Sequence, residues 1–130
     1  MWEHCGISRN EESLNQGLSK IAALREEFWR DVRVPGKADE LNQSLEHAGR
    51  MIDFFDFGEL MCRDALLRDE SCGCHLREEH QTPEGEAKRD DENYAFVSVF
   101  EYKGEGVEPE LNKEPLAFEA LPLAARNYKS

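Results

Sequence analysis

The sequence predicts a mainly α fold: an up-and-down three-helix bundle of the spectrin-repeat kind, followed by an extended tail that carries a small β-hairpin. Three observations lead there. Apolar residues recur at spacings of three and four from Leu14 to Val32 and again from Leu41 to Ala65. Pro35-Gly36 separates the two runs, and a β-branched and aromatic run, Tyr94 to Tyr102, follows only after a long polar stretch. The expected division is residues 1–72 for the helical bundle and 73–130 for a loop and extended β tail of the same domain.

The first eight residues, with Met1-Trp2, Cys5, Gly6 and Ile7, are apolar enough to pack but too short for a helix of their own, and read as the tail of an earlier helix. Ser8 and Glu11 have the spacing of a capping box, and Asn10, Glu11 and Glu12 place acceptors and negative charge at a helix start near residue 10. Leu14, Leu18, Ile21, Leu24, Phe28 and Val32 then form one apolar stripe, with Lys20, Arg25, Glu26 and Arg30 outside. Pro35-Gly36 stops this helix, and the short turn calls for an antiparallel neighbour.

Asp39 is expected to cap the second helix, over residues 39–69. Leu41, Leu45, Ala48, Ile52 and Phe55 make its first stripe. Phe54, Phe57, Met61 and Ala65 continue on an adjacent face, widened by Leu60 and Leu67, and a stripe this wide implies two partners. Gly49 and Gly58 are expected to mark close packing.

From Asp69 to Glu92 the periodicity is lost, and nine acidic residues stand against Arg77, Lys88 and Arg89, so this stretch reads as a loop outside the core. Thr82-Pro83-Glu84-Gly85 is a tight turn within it. Tyr94 to Tyr102 is one strand. After Gly104-Glu105-Gly106, Leu111 to Leu121 pairs with it, confined to an edge by Pro109, Pro115 and Pro122.

A chain of 130 residues with 39% apolar and 34% charged residues suits one folded domain with a polar periphery. Its net charge of -12 repels phosphate backbones and anionic lipid, so nucleic acid is excluded as a partner. No stretch approaches the ~18 apolar residues of a membrane span, and no signal peptide is recognisable, so neither direct membrane insertion nor secretion is expected. Cys5, Cys62, Cys72 and Cys74 are unevenly spaced and read as reduced thiols.

The densest chemistry is Glu70-Ser71-Cys72-Gly73-Cys74-His75-Leu76-Arg77-Glu78-Glu79. Its Cys-x-Cys-His cluster offers three zinc ligands, and Cys62 is the one nearby fourth, but no familiar metal spacing is completed, and no metal site is expected. His75 with Glu70 or Glu79 has the make-up of an acid–base pair; a hydrogen-bonded structural histidine is the plainer reading. His4, His47 and His80 have no evident partners. There is no G-x-G-x-x-G after a strand, no phosphate loop and no nucleophile elbow, so no catalytic and no cofactor-binding residue is assigned.

Glu70-Ser71-x-Gly73-x-His75-x-Arg77-Glu78, followed by Arg89-Asp90-Asp91-Glu92-Asn93, resembles the C-terminal segment of succinate dehydrogenase and fumarate reductase flavoprotein subunits. That family commonly reads E-S-R-G-A-H-x-R, an acidic D-D-E-N run, an aromatic strand and a closing R-x-Y, which Arg126-Asn127-Tyr128 matches. Nearly the whole chain is covered, the Met1-Trp2-Glu3-His4-Cys5-Gly6 start included. L-aspartate oxidases share the E-S-R-G start, but the Arg77 position and the run from Arg89 look more like the dehydrogenase branch. Cys72 stands where the family has arginine and Cys74 where it has alanine, the mark of a subfamily.

The resemblance implies a parent subunit that carries covalent FAD, interconverts succinate and fumarate as in the tricarboxylic acid cycle, and passes electrons to an iron–sulfur subunit. It implies that the chain packs against flavin-binding and capping domains, with no cofactor of its own. It also implies a cytoplasmic location, peripheral to the inner face of the membrane through the parent complex. Glu70, Ser71, His75 and Arg77 are then the expected interdomain contact. The rival expectation is an independent acidic helical interaction module whose Cys-x-Cys-His loop binds a partner or metal. The abrupt Met1-Trp2 start favours a fragment.

Overall fold

The computed structural model describes residues 1–37, 39–104 and 106–124. Two long helices dominate it, α1 (Glu11–Asp31) and α2 (Gln43–Leu67). A two-residue strand β1 (Ser8–Arg9) precedes them; β2 (Leu76–Arg77), the one-turn helix α3 (Asp91–Tyr94) and the strands β3 (Phe96–Glu101) and β4 (Glu110–Pro115) follow. The mainly α class and the small antiparallel hairpin agree with the sequence reading. Of the helices expected in the bundle, two are long and pack on each other, while the third helix among the described residues is the single turn α3. Glu105 of the expected turn, and Arg126 and Tyr128 of the closing motif, lie outside the described residues.

Both helix starts fall where a side chain can close open backbone amides. Asn10, not Ser8, caps α1, its Oδ1 accepting from the Ser13 N–H at 2.8 Å. Ser8 is instead extended in β1 and gives its hydroxyl to Glu78. Asn42, not Asp39, caps α2: its Oδ1 accepts from the Leu45 N–H at 3.1 Å while its Nδ2 donates to the Pro35 carbonyl at 3.0 Å. That second bond ties the cap to the turn, where Gly36 takes φ +113°, and a β-carbon there would run into the Asn42 side chain.

The helices run antiparallel, as their contacts show. Cys62 lies against Gly17, Ile21 against Gly58, and the Phe28 ring meets Phe55 edge-on at 5.7 Å. Cys5, Leu14, Ile21, Phe55, Cys62 and Ala65 are the buried core, with Leu18, Phe28 and Leu66 packed on it. Gly58 is the close approach expected of it, whereas Gly49 faces open space. Leu24, Val32, Leu41 and Leu45 hold stripe positions yet are exposed, because periodicity marks a face but not how far along it a partner reaches. Arg25 of α1 bridges to Glu59 and Asp56 of α2, and Arg63 to Glu59 and Glu108. Burial opposes the charge on Glu59, but hydrogen bonds from both arginines outweigh it and hold the carboxyl below its usual range.

In the hairpin, Phe96↔Pro115 through Glu101↔Glu110 are paired, with Phe96, Ser98 and Phe100 turned inward. The second strand stops at Pro115 rather than Leu121, and pairing ends with the Leu116 N–H on the Ala95 carbonyl at 3.0 Å. Tyr94 belongs to α3, because Asp90 accepts from the Asn93 N–H and starts a helical turn before the strand. Thr82–Gly85 is the expected turn, with Gly85 at φ +80° and its N–H on the Thr82 carbonyl. Among the described residues no helix is long and apolar enough to cross a membrane.

Leu14 is 0% exposed and Leu41 is 93% exposed, although both fit the helical periodicity. Leu14→Ala is expected to cost about 2–5 kcal/mol in chemical denaturation, and Leu41→Ala to stay within about 0.5 kcal/mol of the parent.

Candidate functional site

The Glu70–Glu79 segment lies where α2 ends and α1 begins. The last carbonyls of α2 have no partner within the helix, and Arg77 supplies one: its Nη1 donates to the Ala65 carbonyl at 2.9 Å and reaches those of Leu66 and Arg68 at 3.4 and 3.5 Å. A guanidinium at a helix C-terminus also faces the negative end of the helix dipole. Arg77 Nε donates to Glu79 at 3.1 Å, and the other oxygen of Glu79 accepts the Glu11 N–H in the first turn of α1 at 2.6 Å. Glu78 accepts from the Ser8 hydroxyl and from Asn10 Nδ2, at 2.7 and 2.9 Å. The hydrogen bonds from Asn10 and Ser8 hold Glu78 below the usual carboxylate range. Glu79 is lowered too, its partial burial outweighed by the backbone and Arg77 donors.

This corrects the expectation that residues 69–92 lie outside the core. Glu70, Ser71 and Arg77 are buried, at 4%, 0% and 3% exposure, because the helix end needs polar partners from within the fold. Ser71 Oγ donates to the Arg77 carbonyl at 3.1 Å and accepts the Arg77 N–H at 2.8 Å. β1 and β2 pair in parallel, Ser8↔Leu76 and Arg9↔Arg77, which ties the start of the chain to the loop.

His75 meets the Arg9 guanidinium and the Arg68 backbone, within the field of Arg77. Arg9 Nη1 donates to its Nδ1 at 3.0 Å, which places the ring proton on Nε2, and this donates to the Arg68 carbonyl at 3.2 Å. Burial, helped by the charges of Arg9, Arg77 and Arg68, lowers its pKa against the pull of the carbonyl. Glu70 is engaged by Arg68 and the Asp90 N–H, and Glu79 by Arg77 and Glu11, so neither forms an acid–base pair with His75. Cys62 sits in the core beside Cys5, away from the Cys72-Gly73-Cys74 turn, where Cys72 and His75 bridge and Gly73 takes φ +60°. Among the described residues no three His, Cys, Asp or Glu side chains are grouped to hold a metal. The other histidines do have neighbours: His4 has Ser13 and Lys20, His47 has Glu46, and His80 has Asp69.

Arg68 is the residue that pattern reading missed. It donates to the carbonyls of Phe96 and Tyr94 at 2.7 and 3.2 Å, meets Glu70 at 3.3 Å and stacks over the Phe96 ring at 4.7 Å, fastening the hairpin to the end of α2. A basic residue just after a helical stripe was the available signal. Arg89, in the second half of the motif, binds Asp91 and the Ala124 carbonyl, and the Asp91 bond raises its pKa.

Residues 1–128 match the family described as fumarate reductase flavoprotein C-term. The fumarate reductase flavoprotein subunit of a Serratia species is 33% identical over 128 residues, which is 98% of this chain and 20% of that protein. The Escherichia coli K12 fumarate reductase flavoprotein subunit is 30% identical over the same length, again 98% of this chain and 20% of the relative. A solved structure of E. coli quinol fumarate reductase with a mutated FrdA chain superposes with a TM-score of 0.79 at 29% identity, covering 96% of this chain and 20% of that one. The chain thus spans about a fifth of the length of the relatives it matches.

Arg77→Met keeps the side-chain bulk but bares the α2 carbonyls. A loss of at least about 2 kcal/mol in denaturation is expected, since each buried group left unpaired costs about 1–3 kcal/mol. The unfolded chain protonates His75 near its ordinary pKa of about 6.5 while burial holds the folded-state pKa lower, so stability falls as pH drops below the ordinary value. His75→Gln should flatten the stability profile below about pH 6.5 relative to the parent, measured by urea titration at each pH.

Proposed function

The chain belongs to the fumarate reductase flavoprotein C-terminal family, and from that membership we propose that it is the C-terminal helical domain of a FAD-dependent subunit that interconverts succinate and fumarate. In this reading the parent passes electrons to an iron–sulfur subunit, and a larger complex holds the chain at the cytoplasmic face of the membrane without inserting it. The described residues do not fit a flavin: the one parallel pairing is the two-residue β1–β2, and β1 leads into α1 through Asn10 with no glycine-rich turn. Flavin and substrate chemistry therefore belong to the rest of the subunit, and this chain acts by packing.

The observation that carries the reading is the second face of α2. Phe55 and Cys62 are covered by α1, but Phe54, Phe57 and Met61, at helical spacing beside them, are 60%, 63% and 39% exposed. An apolar row of that kind on a charged domain suits a third helix of the same parent subunit, which would complete the three-helix bundle. The loop at the helix junction would meet the flavin domain through its exposed rim, Gly73 and Cys74, with Glu70, Ser71, His75 and Arg77 holding the rim from behind.

Co-expression of the chain with the remainder of its flavoprotein subunit should restore flavin-dependent fumarate reduction by a reduced dye. Phe54→Glu with Phe57→Glu should abolish association and turnover while moving the chain's own denaturation midpoint little. Full turnover with both glutamates in place would refute the packing role. Loss of association on Cys72→Ser with Cys74→Ser, but not on the glutamate pair, would put the contact at the loop rim and not at the second face of α2, whereas no association of the unmutated chain with that remainder would favour an independent module acting through its Cys-x-Cys loop.

A further inference from the structure

Cys5 and Cys62 are far apart in sequence and meet in the core, one 6% and the other 0% exposed. The point where they meet is set by Gly17 of α1. A β-carbon there would lie 3.5 Å from the Cys62 sulfur and 2.9 Å from the β-carbon of His4, the residue next to Cys5. The missing side chain lets residues 1–7 and α2 close over α1 until both cysteines lie in one buried cluster. Cys5 is held there by a helical turn, its N–H on the Met1 carbonyl at 2.8 Å. Cys72 and Cys74, by contrast, are separated by one residue in a turn already closed by the Cys72–His75 bridge, where a ring would be strained.

We propose that Cys5 and Cys62 form a dithiol–disulfide couple that staples residues 1–7 to α2. The neighbouring Cys62 thiol draws the Cys5 pKa down to about 6, against burial and with help from Arg9; Cys5 in turn, together with burial, pushes Cys62 up. Cys5 is thus the attacking sulfur when the amino-terminal turn opens. With a small-molecule disulfide such as oxidised glutathione, the Cys5 thiolate attacks one sulfur, forming a mixed disulfide and releasing one glutathione thiolate. Cys62, giving up its proton, attacks the Cys5 sulfur of that mixed disulfide and releases the second. The protein loses two electrons and two protons, and two molecules of reduced glutathione carry them away. The cross-link encloses all of α1, so it removes freedom mainly from the unfolded chain.

The test uses the chain with Cys72→Ser and Cys74→Ser, which leaves one possible intramolecular pair. It is equilibrated with glutathione redox buffers in native buffer and in denaturant, and the remaining thiols are counted after quenching. Conversion of both thiols to a Cys5–Cys62 linked peptide is expected. The reduced-glutathione excess needed to open the disulfide should be at least about tenfold greater for the folded chain, because a fold that gathers both cysteines in one core and the disulfide favour each other. Equal midpoints in buffer and denaturant would overturn the proposal, as would two free thiols, glutathione adducts or chain-to-chain cross-links in native buffer.

Discussion

An antiparallel helix pair sets the open carbonyls of one helix beside the open amides of the other, and both sets need partners if that end is covered. Here one short run supplies them. Arg77 takes carbonyls at the end of α2, Glu79 takes the Glu11 amide at the start of α1, and the two side chains pair with each other. The rest of the junction follows from this clasp. Ser71 bonds the Arg77 backbone in both directions, β1 and β2 fall into register beside it, and Glu78 gathers Ser8 and Asn10. The hairpin is attached one residue past α2, through Arg68.

The charge of the chain is distributed unevenly. The total is -12, yet the charges of Arg9, Arg77 and Arg68 all act on one histidine at the helix junction. Such a cluster is tolerated because Glu70 and Glu79 answer Arg68 and Arg77, and because helix carbonyls add partial negative charge. His75, its pKa held below the ordinary value in this setting, bridges the Arg9 guanidinium and the Arg68 carbonyl through its two ring nitrogens. The same residue types that would suggest acid–base chemistry in a cleft are here the internal wiring of a helix end.

The two faces of α2 have different roles. One is closed within the chain by α1, with Gly17 and Gly58 allowing close approach. The other leaves Phe54, Phe57 and Met61 exposed. A chain that is a fifth of its relatives in length, with a closed core and one bare apolar row, is suited to be part of a larger packed body.

Periodicity found both long helices, and Pro-Gly turn chemistry with a β-rich run found their antiparallel arrangement, the turn at Thr82–Gly85 and the hairpin, since each depends on neighbours a few residues apart. The motif from Glu70 to Arg77 stood out by its composition and its resemblance, but its role did not. Whether Arg77 meets solvent, another domain or the carbonyls of α2 depends on which distant segment lies next to it, and nothing local records that. Asn10 and Asn42 displaced Ser8 and Asp39 as caps for the same reason: Ser8 was taken by Glu78 and Asn42 was tied to Pro35. Exposure of Leu41 and burial of Leu14 could not be told apart by spacing, because burial depends on how far the partner helix extends. Local order is written in residue spacing, whereas the meeting of Cys5 with Cys62 in one core and of Arg68 with the hairpin arises only when the folded chain brings remote groups together.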